Sequence, residues 1–214
     1  MYLSQILLIE RDYGTVNNSR LAQRMQVSKP AVTQTVRRLV NIGLLSQDPY
    51  GTIFLTEEGR SIAHQVIVRH YLIEYMLIDL LGYPWDRADV EALLLQGTIS
   101  DELTDFLYEK FHYPDRCPHG NPFPGTAAEQ MLLHAPRINT IEPGTDIEIL
   151  RITEEGEDYE GLLQFCSRYN IRPKQKFTIQ DRQDDSITIS SGHNHRHLDI
   201  PLVFAQYICA AVLK

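Results

Sequence analysis

The stretch NNSRLAQRMQVSKPAVTQTVRRLVNIGLL, Asn17 to Leu45, decides the architecture of this chain. Leu21, Ala22 and Met25 recur at helical spacing and give a short helix its inner face. Val27 and Ser28 read as a turn. Ser28 is a good N-cap, and Pro30 falls early in the next helix, where a missing N–H is harmless. Val32, Val36, Leu39 and Val40 then form the buried stripe of a second helix, which Gly43 ends. The following residues, LLSQDPYGTIFLT, predict a hairpin turning at Asp48-Pro49-Tyr50-Gly51, with Ile53 and Leu55 on one face of the returning strand. Helix, tight turn, helix and wing make a winged helix-turn-helix, whose second helix is shaped to enter a major groove.

The outer face of that second helix carries Ser28, Lys29, Pro30, Ala31, Thr33, Gln34, Thr35, Arg37 and Arg38, and the wing adds Tyr50 and Thr52. Gln pairs bidentately with adenine, Ala and Thr methyls meet thymine, and Lys or Arg neutralises phosphates. Charge agrees. Residues 1–68 hold seven Lys/Arg against five Asp/Glu, net +2, whereas 69–214 hold thirteen against twenty-three, net −10. One end of the chain suits a polyanion and the rest does not. One such module binds weakly, so a homodimer on a two-fold DNA site is expected.

Working outward, Leu3, Ile6, Leu7 and Ile9 predict a first helix from Tyr2 to about Arg11, ended at Tyr13-Gly14. Its opening, MYLSQILLIERDYG, has neither a basic flank nor a small-residue cleavage site, so no export signal is predicted. Thr56-Glu57-Glu58-Gly59 predicts the cap of a long helix running to Leu81, with Gly82-Tyr83-Pro84 as its break. Further helices are predicted over 86–97 and, capped by Ser100, to about His112. The Pro- and Gly-dense Asp115–Gly125 reads as a linker-like crossing. After Pro143-Gly144 the pattern turns to strands, with DYEGLLQFCSRY helix-like among them. The expected units are residues 1–64, 65–140 and 141–214.

Three widely spaced cysteines, Cys117, Cys166 and Cys209, fit reduced thiols and a cytoplasmic location. No run of about 18 apolar residues predicts a membrane span. No Gly-rich phosphate loop, G-x-S-x-G turn or H-E-x-x-H helix occurs, so an enzyme is not expected.

In RHYLIEY, Arg69 to Tyr75, His70 and Glu74 stand four residues apart and share a helix face. That spacing fits a metal-ligand pair and equally a core histidine bonded to an acid. His193, His195 and His197 alternate, but Gly192 and Asn194 predict an exposed hairpin tip. Cys117-Pro118-His119 offers a thiol and an imidazole, though the proline and the lack of a second pair argue against zinc.

VSKPAVTQTVRRLVNIGLL with its wing and LTEEGR, then VRHYLIEYMLIDLLG, then ISDEL and PHGNPFPG, together resemble the diphtheria toxin repressor/MntR family of metal-dependent transcriptional regulators. The resemblance covers essentially the whole chain. It implies a mainly α fold with a small β domain: a winged helix, a helical dimerisation domain, and a C-terminal SH3-like (FeoA-like) β-barrel. It also implies a cytoplasmic homodimeric repressor of metal-homeostasis genes, bound to palindromic operator DNA and modulated by Mn²⁺ or Fe²⁺, with Zn²⁺ or Co²⁺ as alternatives. The family's primary metal ligands correspond here to Leu93, Gln96 and Gly97, and Met1 falls where its first helix supplies a further ligand. Leu and Gly side chains cannot coordinate, and Gln offers only an amide oxygen. His70 and Glu74 match an ancillary site. The resemblance implies Asp89 and, from the β unit, Glu160 as their partners. The alternatives are a winged-helix regulator without metal dependence and a protein-interaction adaptor.

Overall fold

The computed structural model describes residues 1–191 and 197–213. Helix α1 (Tyr2–Tyr13) buries Ile6, Leu7 and Ile9 and stops at Gly14, whose φ of 75° is left-handed backbone that glycine adopts without strain. Helix α2 (Asn18–Arg24) is capped by the Asn17 side chain, and α3 (Lys29–Asn41) by Ser28, whose Oγ accepts from the Ala31 N–H at 3.4 Å. Val32 and Val36 are buried against α2, as their spacing predicts. Strands β1 (Leu45–Gln47) and β2 (Ile53–Leu55) pair antiparallel, and Asp48 Oδ1 accepts from the N–H groups of Tyr50 and Thr52 to hold the wing turn.

Thr56 caps α4 (Glu57–Tyr75). The predicted run to Leu81 finishes not as α-helix but as a wider π-helical turn, Met76–Leu80. Helix α5 (Ala88–Leu95) follows a short 3₁₀ turn at Trp85–Arg87, and Ser100 caps α6 (Asp101–Lys110). Asp115–Gly125 is no loose linker: Cys117, His119, Asn121 and Phe123 are all buried there. Phe123 and Cys117 belong to the core built by α1–α4, while Trp85 belongs to the core of the β unit. The middle of the chain is therefore packed into both.

After α7 (Glu129–Leu133) come β3 (Asp146–Ile152), α8 (Glu154–Glu157), α9 (Leu162–Tyr169), β4 (Lys176–Arg182), β5 (Ser186–Ser190), β6 (His197–Pro201), α10 (Leu202–Ala205) and β7 (Ile208–Val212). All pairings are antiparallel, in the order β6-β5-β4-β3-β7. The SH3-like expectation holds, but the sheet is open, not a closed barrel. β6 and β7 are its two edges, because α10 carries the chain across β5 and β6 to the far side of β3. β7 and α10 lack a signal in the sequence reading. His193 and His195 lie outside the described residues; His197 is exposed at the start of β6. No helix among the described residues is long and apolar enough to cross a membrane.

Candidate nucleic-acid interface and metal centre

The α3 face is open. Ser28, Lys29, Pro30, Ala31, Gln34, Arg37 and Arg38 are exposed, and Tyr50 stands 95% exposed at the wing tip. Thr33, Thr35 and Thr52 are half-buried. Thr33 is partly committed internally: its hydroxyl donates to Lys29 O at 3.0 Å and accepts from Asn18 Nδ2 at 3.2 Å, bracing α2 against α3. Among the exposed residues, Lys29, Gln34, Arg37 and Arg38 carry the long polar or cationic side chains.

The helical spacing of His70 and Glu74 becomes a contact. His70 Nε2 lies 3.0 Å from Glu74 Oε1 and 3.0 Å from Asp89 Oδ1, so α4 and α5 converge on one imidazole. Both His70 and Asp89 are 8% exposed, and Glu74 is fully buried. Glu160 is not there. Gly161, at φ 83°, turns the chain into α9, and Glu160 sits exposed on that turn. The β unit instead supplies Glu157. One potential ligand atom from each of His70, Glu74, Asp89 and Glu157 lies within 4.8 Å of all the others. The missed signal was Thr153-Glu-Glu-Gly-Glu, an N-cap followed by acids as at Thr56. Thr153 accepts from the Gly156 N–H, and the resulting turn places Glu154 and Glu157 on one face.

Glu74 also turns toward a second cluster. Its Oε2 is 3.3 Å from His119 Nδ1, and Glu74, Cys117 and His119 again offer ligand atoms within 4.8 Å of one another. The other His119 nitrogen, Nε2, lies 3.0 Å from the Trp85 carbonyl, with the indole tilted over the imidazole. The Cys117-Pro118-His119 pair, against which the proline and the lack of a second pair argued, is thus joined by a residue forty-odd positions away, which no local pattern reveals.

Electrostatics favour a cation here. Burial would raise the Glu74 carboxyl, but His119 and His70 beside it pull it down to about 2. Burial would lower His70, yet Asp89 and Glu74 hold it well above its ordinary value; His119 is likewise raised against burial, by Glu74. Burial, then the neighbouring Glu154, Glu74 and Asp89, push Glu157 well above the carboxylate range. Its Oε2 is buried without a partner among the described residues. A buried oxygen without a partner beside imidazole and carboxylates fits a divalent transition metal, whose charge would meet the need that raises these groups. Leu93 and Gln96, by contrast, line a cavity of about 300 Å³ together with Met1, Arg24, His70 and Asp89. The exposed Gly97 adds no donor.

Comparison with known proteins places the chain in a family. Residues 1–53 match the family model for the iron dependent repressor N-terminal DNA binding domain, and residues 56–125 that for the iron dependent repressor metal binding and dimerisation domain. The iron-dependent repressor IdeR of Mycobacterium tuberculosis (strain ATCC 25618 / H37Rv) is 35% identical over 208 residues, covering 91% of this chain and 89% of the relative. The diphtheria toxin repressor of Corynebacterium diphtheriae is 29% identical, with 94% and 90% covered. Among solved structures, a manganese-dependent transcriptional repressor in complex with manganese superposes with a TM-score of 0.85 at 26% identity, covering 99% of this chain and 98% of that one. The T. acidophilum IdeR structure gives 0.75 at 25% identity, with 99% and 96% covered. The family consists of transcriptional repressors, not enzymes. On these matches this protein belongs to the iron-dependent repressor family, the diphtheria toxin repressor/MntR group of DNA-binding regulators.

Proposed function

We propose that two copies of this chain bind a palindromic operator in the cytoplasm, and that a divalent transition metal at His70, Glu74, Asp89 and Glu157 strengthens that binding. The buried four-donor cluster with its unpartnered Glu157 oxygen carries this reading. In the same reading, residues 1–64 read DNA, 65–140 pair the subunits and hold the metal, and 141–214 close over it. Val90 and Leu94 on α5 and Phe106 on α6, each at least 60% exposed, supply apolar surface for the partner copy.

When bound, the cation supplies the positive charge on which the carboxylates converge. His70, Glu74 and Asp89 come from helices and Glu157 from the β unit, so a full ligand set ties the two together. One imidazole and three carboxylates suit Mn²⁺ or Fe²⁺; recruitment of the adjacent Cys117 thiol would shift preference toward Zn²⁺ or Co²⁺. Burial and nearby carboxylates raise that thiol well above its ordinary value, which favours the harder ions.

Fluorescence anisotropy on DNA from upstream of the protein's own gene tests the proposal, in chelator and then in Mn²⁺, Fe²⁺, Co²⁺ or Zn²⁺. The metal should tighten binding by about 5–150-fold, the usual size of such coupling. Equal affinity in chelator and every metal would instead support a metal-independent regulator, a reading favoured by the absence of ligands at Leu93, Gln96 and Gly97. Gln34→Ala and Arg37→Ala should each weaken binding by about 1–3 kcal/mol if they touch bases. No loss in either would remove α3 as the reader.

A further inference from the structure

Outside the metal donors, a second buried polar group runs from Glu157 to the DNA-reading end. Arg151 is 2% exposed, although it lies in β3 among Ile147, Ile149 and Ile152, which all enter the β-unit core. A break in register against β7 between Ile149 and Arg151 explains this: Leu150 is an extra residue, so Ile149 and Ile152 both face the core while Arg151 is turned the other way. There Arg151 Nη2 donates to Asp12 Oδ1 at 2.9 Å, and both side chains are 3% exposed. Asp12 stands in the last turn of α1, where the helix dipole disfavours an anion, so its burial depends on the guanidinium.

Arg151 Nη1 donates to Asn121 Oδ1 at 2.8 Å. The same amide, through Nδ2, donates to Ile152 O at 2.8 Å and to Glu157 Oε1. Gly120 makes this approach possible. A Cβ there would lie 2.1 Å from Leu150 O and 2.7 Å from Arg151 Cα, so a side chain would push the Asn121 loop off the bulge. Ile152 N–H donates to His119 O at 2.9 Å and fixes the same loop from the other side.

We infer that Asn121 and Arg151 are positioning residues that couple the metal centre to the winged helix: Asn121 aims the Glu157 carboxylate, and Arg151 passes its position to Asp12 on α1. This deepens the proposed function and rests on it. One planar amide touches both the carboxylate and the guanidinium, so a carboxylate drawn toward a cation cannot move without changing the Arg151 contact. Asp12 lies immediately before the Tyr13-Gly14 turn into α2, so α1 delivers that change to the reading head.

The test uses the full-length dimer and two variants: Asp12→Asn, which keeps the acceptor oxygen and removes the charge, and Asp12→Leu/Arg151→Met. The double variant replaces the ion pair by apolar groups and keeps the fold if the single variant does not. Mn²⁺ affinity of the free protein is measured by calorimetry, and operator affinity by anisotropy in chelator and in Mn²⁺. Both variants should bind Mn²⁺ within about threefold of the parent, yet lose most of the Mn²⁺-induced gain in operator affinity, leaving it within about twofold of the chelated value. A purely structural role would lower operator affinity equally with and without Mn²⁺. That outcome, or an unchanged gain, overturns the relay and leaves the proposed function standing. No Mn²⁺ gain in the parent protein overturns both.

Discussion

The assignment of Glu157 and not Glu160 to the metal centre gives a sharp test. Glu157→Gln is close to isosteric with the protonated acid that burial and neighbouring carboxylates favour in the chelated protein. Its amide oxygen can still accept from Asn121 Nδ2, so the chelated variant should stay within about 1 kcal/mol of the parent. Metal-loaded protein should differ. With free Mn²⁺ at a hundredfold over Kd, binding stabilises by about 2.7 kcal/mol. At about 2–4 °C per kcal/mol for a chain of this size, that raises Tm by about 5–11 °C. A hundredfold weaker Kd, the upper range even for loss of an outer-shell partner, leaves about 0.4 kcal/mol and about 1–2 °C. Glu160→Gln alters an exposed turn and should keep the full gain. Differential scanning fluorimetry on the three proteins, each with chelator and with Mn²⁺, reads these shifts directly. Full metal stabilisation in Glu157→Gln, or its loss in Glu160→Gln, would refute the assignment.

The chelated protein should lose stability as pH rises from about 5 to 8, since the groups at the centre act in one direction there. His70 and His119 have folded values raised above 6.5; their contribution is complete below 6.5 and is lost as pH climbs through the raised values. Glu157, raised above 4.5, is ionised in the unfolded chain while the fold still holds its proton, which also favours unfolding as pH rises. Glu74 and Asp89, both lowered, are already ionised in both states across this window. Chelated Tm rising with pH would contradict the geometry, and saturating Mn²⁺ should flatten the slope. Leu94→Glu, placing a charge on the exposed α5 face, should weaken dimerisation at least tenfold, about 1.4 kcal/mol, without unfolding the subunit; sedimentation showing an unchanged dimer would move the interface elsewhere. Gly120→Ala should destabilise by about 3 kcal/mol or more through its backbone clash, whereas Gly125→Ala, at positive φ but with open space around it, should lose only about 1 kcal/mol. Equal denaturation midpoints for the two would contradict the docking of the Asn121 loop on β3.

What the sequence determined by itself is what local physics writes into short windows. Ser28, Thr56 and Ser100 cap helices because a side-chain oxygen beside free N–H groups needs no distant partner. Val32 and Val36 mark a buried face by period alone, and His70 meets Glu74 because four residues bring a helix round to the same side. Helix α3, the hairpin after it and the histidine–glutamate pair were legible for these reasons. The open edge of the sheet, the choice of Glu157 among five acids in residues 154–160, and the pairing of Cys117 and His119 with Glu74 were not. Each depends on how segments dozens of residues apart dock, through a Gly120 that lets two backbones touch and a bulge at Leu150 that turns Arg151 away from the β core and toward α1. Contacts of that kind carry no periodicity, so only the packed tertiary structure could select them.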